Sequence, residues 1–310
     1  MKDIAKTFLF QSLSLRTQMR LVRALVHNVT TSASKDDAQL LEQLFASVDV
    51  LQVLLEDRIR QIRFSGRIVA DGAVLGGRPS LQACLMEDHS QWKEKTDISV
   101  DAITMPGMIS DEEAQYYEYI GGLYQGHGEA IELGPWLGKS TRHIIRGLDK
   151  NPKFIGRQLH VFDDFVWRSA WMNRHIADDE QLPNHSDFRG LFEKYVRNIR
   201  QRLNVTQGKI VDHDGNENLP QIDWRGAPIE IMYIDCGRTF QANEAWYRIF
   251  SPGLIPDISL LIMQDWRTHR ERPRLSYNET HWFTAAHPEL EIVHEVKDGG
   301  IATFLYRGKH

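Results

Sequence analysis

Apolar positions in the first third of the chain recur at steps of three and four. Leu40, Leu41, Leu44, Phe45, Val48, Leu51, Leu54, Leu55, Ile59 and Ile62 follow this spacing. On a helix of roughly seven turns they form one wide stripe that needs a covering partner. A shorter stretch at 16–27 mixes basic and apolar residues at helical spacing, the pattern of a packing helix with a solvated basic face. Residues 66–108 hold Gly66, Gly72, Gly76, Gly77 and Pro79 with few periodic runs, which predicts an irregular connector or a lid. Ser110 then stands three residues before Glu113. That is the capping-box spacing, and it predicts a helix through Tyr116, Tyr117, Ile120 and Leu123.

Beyond this point short apolar runs alternate with helical patterns. Strands are expected at 129–133, 158–165, 209–212, 229–235 and 258–263. Between them fall helices at 140–148, 188–203 and 244–250, while 166–184 has no clean period. Buried strands joined by helices imply a parallel sheet covered on both faces. Two further strands, 290–296 and 301–306, are separated only by Lys297, Asp298, Gly299 and Gly300. A parallel connection needs about a dozen residues or more, so this loop forces an antiparallel hairpin. The expected fold is therefore α/β. It has a doubly wound, mostly parallel seven-stranded sheet ending in an antiparallel hairpin, preceded by a helical N-terminal region.

Composition narrows the possible partners. The chain has 310 residues with 42% apolar and 25% charged content, and its formal charge is −5. An acidic balance argues against a general nucleic-acid binder, which needs a basic face to displace counterions. Cys84 and Cys236 stand far apart in unlike contexts, as in a reducing cytoplasm, without a disulfide framework or a cysteine-rich zinc site. No run has the length of a membrane-spanning helix. The first residues lack the apolar core of a secretory signal, so a cytoplasmic location with no membrane partner is expected. On the same ground, Asn28, Asn204 and Asn278, each two residues before a threonine, are chance matches to the glycosylation pattern.

The candidate chemistry gathers around 130–142, where an apolar run ends in Glu132 and is followed by Gly134, Gly138, Ser140 and Thr141. Strand, glycine turn and helix start describe a loop that cradles a cofactor, with Ser140 and Thr141 as expected helix caps. The predicted strand ends are acidic: Glu132, the pair Asp163 and Asp164, Asp212 and Asp214, Asp235, and Asp265 after Gln264. Ligands of a doubly wound sheet sit at these ends. Asp163 or Asp164, about 25 residues past Gly138, is spaced to grip a ribose diol. The loop lacks both the three-glycine dinucleotide fingerprint and the lysine-serine ending of a triphosphate loop. Its acidic neighbourhood suits a cationic ligand.

Glu132-Leu133-Gly134 with Gly138 and Ser140, then Phe162 to Phe165, Tyr233 to Asp235, Phe250 to Gly253 and Ile262 to Asp265 resemble S-adenosylmethionine-dependent methyltransferases of the Rossmann-like class. The nearest likeness is to small-molecule and sugar O-methyltransferases of the macrocin type, where a Pro-Gly-Met/Leu-Ser-like segment such as 106–110 also precedes the loop. The resemblance covers roughly 105–307. It implies a methyltransferase domain over 105–310; residues 1–104 lie outside it and are read from their own pattern as a helical N-terminal region for packing, a lid or oligomerisation.

By that resemblance Gly134, Gly138 and Ser140 shape the cofactor loop, and Glu132 lies near the cofactor's ammonium. Asp163, with Asp164 beside it, holds the ribose, and Asp212 or Asp214 lies near the adenine. Asp235 sits beside the transferred methyl group. Asp235, Asp265 and His269 are the candidates for a general base. Macrocin-type enzymes carry a richer set of carboxylates for a divalent cation. Here only Asp235 and Asp265 remain. Either they share a magnesium ion whose shell is completed by waters, or Arg238 pairs with one of them and serves as the fixed positive charge in its place. His269 stands among Arg267, Arg270, Arg272 and Arg274, which suit an acidic or phosphorylated acceptor or a solvated loop. Trp167, Trp171, Trp266 and Trp282 are expected in the strand-end loops, where they suit a sugar or a flat acceptor. The expected partners are a small-molecule acceptor and a second copy of the chain docked through the N-terminal helices. Two other readings stay open: a non-catalytic methyltransferase-like subunit, and a nicotinamide-dependent sugar-modifying oxidoreductase.

Overall fold

The computed structural model describes residues 105–266, 275–296 and 300–308. The predicted N-terminal helices, the proposed lid, His269 with its arginine neighbours, and the hairpin turn at 297–299 lie outside these residues.

Seven strands form one sheet in the order β3-β2-β1-β4-β5-β7-β6. β1 (Glu129–Leu133), β2 (Leu159–Asp163), β3 (Leu203–Gln207), β4 (Ile229–Ile234) and β5 (Leu260–Met263) run parallel. β7 (Ala302–Tyr306) inserts antiparallel between β5 and β6 (Leu290–Glu295). The doubly wound sheet and its closing hairpin are those expected from the sequence. Burial explains the unbroken apolar runs. Every residue of β4, β5 and β7 is buried, because helices cover both faces of the sheet.

One face carries α1 (Asp111–Gly122) and α2 (Lys139–Asp149), and these two helices pack closely together. Gly147 makes this possible, since a Cβ there would stand 2.2 Å from the Glu118 carbonyl oxygen. Across the same contact the buried Glu118 takes His143 at 2.9 Å and Lys150 at 3.2 Å. α1 begins with the predicted capping box: the Glu113 amide donates to the Ser110 hydroxyl, and the Ser110 amide donates to the Glu113 carboxylate. The other face carries α5 (Phe240–Phe250) and α6 (Leu275–Ala286), joined by Trp246, Tyr247 and Phe283 in edge-on contacts. Among the described residues no helix is long and apolar enough to cross a membrane.

Three predicted boundaries need correction. The third strand lies at Leu203–Gln207 rather than at 209–212. The helix expected over 188–203 is α4 (Arg189–Val196) followed by a 3-10 turn to Arg202. β3 is an edge strand that buries only alternate positions, and its five residues pair with β2. Local pattern alone is weak for such a strand. The third correction is α6, which was not anticipated and places Trp282 on a helix rather than in a strand-end loop.

The excursion after β2 contains the short helix α3 (Ser169–Met172). It is pinned by a bridge between Val166 and Asp187 and by the Trp167 and His185 amides, which donate to the Ser186 and Trp167 carbonyls at 2.8 and 2.7 Å. Trp167 is fully buried, so it belongs to the core. Trp171 is 38% exposed.

Candidate active site

The glycine loop leaves β1 at Leu133 and enters α2 at Lys139. Gly134 has φ 81° and Gly138 φ 88°, a region that glycine enters without steric cost. Both also sit against neighbours. A Cβ on Gly134 would stand 2.5 Å from the Asp235 carbonyl oxygen, and one on Gly138 would stand 2.4 Å from a Val196 methyl. The Gly134 amide donates to the Phe162 carbonyl at 3.0 Å, and the Asp235 amide donates to that of Leu133 at 2.9 Å. The loop is thereby tied to the ends of both neighbouring strands.

Ser140 and Thr141 do not cap α2. Its N-cap is Gly138, with no side-chain cap, and both hydroxyls donate instead to Glu132, at 2.6 and 2.7 Å. Side chains on a first helical turn lean back toward the helix start, and here the acid at the end of β1 lies in their path. Glu132 is 2% exposed. Burial pushes its carboxyl up to about 7 against the pull of the two hydroxyls.

The paired aspartates after β2 have different surroundings. Burial would raise Asp164, but the Arg168 guanidinium, the Val166 amide and the Asn216 side chain outweigh it and hold the carboxyl below its usual range. Asp164 thus braces the loop. Asp163 receives the Phe165 amide at 2.6 Å, and burial, followed by the charge of Asp164, pushes it up to about 8.

Asp235, just past the end of β4, is exposed to solvent. Its crowded surroundings, then the charge of Asp265, hold its carboxyl well above the usual range against the pull of Arg238. Asp265, just past β5, takes φ 58° and is ion-paired with the Arg238 guanidinium. Between them Gln264 is clamped by α1: the Tyr117 hydroxyl donates to its carbonyl oxygen at 2.7 Å, and its amide donates to Glu113 at 2.9 Å. Glu113 also receives the Gly300 amide at 2.7 Å.

Sequence reasoning identified Glu113 only as a cap and passed over Tyr117 as an apolar position. Both are brought to the strand ends by packing between segments about 150 to 190 residues apart, for which no local signal exists. Two buried donors near the loop, Trp136 Nε1 and the Tyr233 hydroxyl, have no hydrogen-bond partner among the described residues.

The cluster therefore joins Glu132, Gly134, Gly138, Ser140, Asp163, Asp235 and Asp265, with Asp164 behind it. Asp212 and Asp214 are placed differently. β3 ends at Gln207, and both aspartates follow in an exposed loop. There Asp214 pairs with His185 at 3.0 Å and Asp212 with Lys209 at 2.8 Å. The open groove lined by Glu129, His160, Asn204 and Trp224 contains none of the clustered carboxylates.

The nearby described cations are engaged with protein groups. Lys139 donates to the Ile109 carbonyl, Arg142 to that of Tyr195, Arg168 to Asp164, and Arg238 to Asp265. A site of clustered acids, with Glu132 buried among them and its cations so engaged, favours a positively charged ligand over a phosphate. A hard divalent cation is a poorer fit. It takes about six oxygen ligands, whereas Asp265 already holds Arg238, and among the described residues no group of three or more ligating side chains converges.

No known protein family matches the chain, and no curated protein does. Solved structures resemble it in fold at low identity. The cofactor-bound Rv0187 from MTB is 14% identical, with a TM-score of 0.45 over 78% of this chain and 96% of that one. The O-methyltransferase from Bacillus cereus, in complex with S-adenosylhomocysteine, is 14% identical, with a TM-score of 0.42 over 77% and 96%. TomG from Streptomyces achromogenes, an O-methyltransferase of tomaymycin synthesis in complex with S-adenosylmethionine, is 12% identical, with a TM-score of 0.39 over 77% and 95%.

Proposed function

We propose that the chain is an S-adenosylmethionine-dependent methyltransferase that methylates a hydroxyl of a small molecule, such as a sugar or natural product. The observation that carries this reading is the set of Glu132, Asp163 and Asp235. These carboxylates stand at three adjacent strand ends around a two-glycine loop, with the nearby cations already engaged by protein groups. The cofactor, when bound, supplies an electrophilic methyl group on a positively charged sulfur.

The chain's own residues bind and align. Gly134 and Gly138 let the backbone approach the ligand, Ser140 and Thr141 fix Glu132 toward the ammonium, and Asp163 takes the ribose hydroxyls. Asp164 keeps the Asp163 loop rigid through Arg168. Asp214, exposed and beyond β3, is left at most a peripheral contact with the adenine. Asp235, exposed at the end of β4, faces the acceptor. With the cofactor bound, these residues would align an acceptor hydroxyl on its methyl group, and the hydroxyl proton would pass to a base. Asp235 is that base in our reading, with Asp265 and His269 as the alternatives. The rate enhancement comes mainly from proximity and alignment, with the base adding to it. Arg238 supplies the fixed cation beside Asp265, so magnesium has no assigned step. We also propose a reducing cytoplasmic setting and self-association through the N-terminal apolar stripe.

Calorimetry with S-adenosylhomocysteine tests the central claim. Saturable one-to-one binding is expected, and heats that stay at the dilution level up to high micromolar ligand would overturn it. NAD serves as the control that separates this reading from an oxidoreductase.

A further inference from the structure

β4 carries a phenol that the scheme above does not use. Tyr233 is 2% exposed, and its hydroxyl has no hydrogen-bond partner among the described residues. An unsatisfied buried polar group is destabilising, so it is unusual unless it serves something. Its place in the sheet shows what it can serve. Tyr233 is the register partner of Glu132 on the neighbouring strand, two residues before the loop glycine Gly134 and two before Asp235. The ring of Tyr117 meets it edge-on with centroids 5.2 Å apart, and that phenol is already spent on Gln264. The buried carboxyl of Glu132 acts electrostatically on the Tyr233 phenol. Each oxygen of Glu132 holds one hydroxyl, from Ser140 or Thr141, and keeps capacity for another donor.

A phenol oxygen able to accept, next to a buried carboxyl able to accept, suits a group with several N–H donors and a positive charge. An ammonium has these properties, whereas a ligand carboxylate would be repelled by an ionised Glu132. We propose that Tyr233 is a specificity residue for the amino-acid end of the cofactor, its phenol oxygen receiving the ligand ammonium beside Glu132. This inference rests on the methyltransferase reading.

The test compares Tyr233→Phe with wild type, using two probes that differ only at the end in question. S-adenosylhomocysteine carries the amino-acid end and methylthioadenosine lacks it. The variant should bind S-adenosylhomocysteine about tenfold more weakly, the scale of one hydrogen bond to a charged group, and methylthioadenosine unchanged. Its ligand-free melting temperature should hold or rise, because an unsatisfied hydroxyl is gone. In a Glu132→Gln background the same substitution should cost much less, since the two groups act on one ammonium. Equal affinity of variant and wild type for S-adenosylhomocysteine would overturn the proposal, as would a parallel loss for both probes. A wild type that binds neither probe removes the methyltransferase premise itself and is thereby distinguished from a failure of Tyr233 alone.

Discussion

Binding of a positively charged ligand to this site should expel protons, and the structure sets how many. Without ligand, Glu132 titrates near 7 and Asp163 near 8. At pH 7 they therefore hold about 0.5 and 0.9 of a proton by simple titration arithmetic. A sulfonium and an ammonium placed among these acids stabilise the ionised forms. Full ionisation of these two would release about 1.4 protons at pH 7, and Asp235, whose carboxyl is also held well above its usual range, adds to that count. The sign follows directly. A complex that holds fewer protons than the free protein gains affinity as pH rises, and the gain ends above the higher free-state value. Integrated from pH 6 to 8, complete release from Glu132 and Asp163 alone corresponds to roughly two to three orders of magnitude in affinity. Calorimetry in two buffers of unlike ionisation enthalpy counts the protons directly. Glu132→Gln should lower the count at pH 7 by about 0.5. An affinity flat between pH 6 and 8 with no buffer dependence of the heat would refute the reasoning.

Gly134→Ala places a methyl 2.5 Å from the Asp235 carbonyl oxygen on a backbone with φ 81°. A destabilisation of about 1–3 kcal/mol, seen as a lower melting temperature, should accompany loss of S-adenosylhomocysteine binding; an unchanged affinity would contradict the close-approach role of that glycine. Arg168→Met leaves Asp164 without its bidentate cation. Urea denaturation should show a loss of about 2–3 kcal/mol, below the range for fully buried pairs because both side chains keep some solvent. Restoration of stability on lowering the pH to 4 would confirm that the cost is an unpaired carboxylate.

Much of the sheet was legible because its central strands are apolar along their whole length and the short final loop permits only one topology. The capping box of α1 was legible for a similar reason, since Ser110 and Glu113 settle it locally. β3 was not: Leu203 is buried while Asn204 and Thr206 are exposed, an alternation too short to outweigh the helical pattern before it. α6 was hidden by its composition, since Thr280 and Thr284, with Asn278 before them, are weak helix formers, and Phe283 is buried by packing on Trp246 of α5. Within the site, the acids at the ends of β1, β2, β4 and β5 were readable as residues. Their partners were less so. The hydroxyls of Ser140 and Thr141 choose Glu132 over the helix amides because of where β1 ends in space. Glu113 and Tyr117 reach the site only through tertiary packing, and the one sequence cue, the cap spacing, pointed elsewhere.

The carboxylate of Glu113 joins a helix at the start of the described fold to Gly300, 187 residues later, and Tyr116 meets Thr303 across the same span. During synthesis at about 5–20 residues per second, residue 300 follows residue 113 by roughly 10–40 s. In the later part of that interval, once β4 has been made, the emerging chain can pair β1, β2 and β4 around the glycine loop, while the clamp on Gln264 lacks its hairpin anchor. The acidic strand ends and the uncovered flank of β5 are then exposed together, before β7 closes the gap. β5 waits about 40 residues for β7, roughly 2–8 s at that rate, and for that shorter time its edge can meet a chaperone or an unwanted strand from a neighbouring chain.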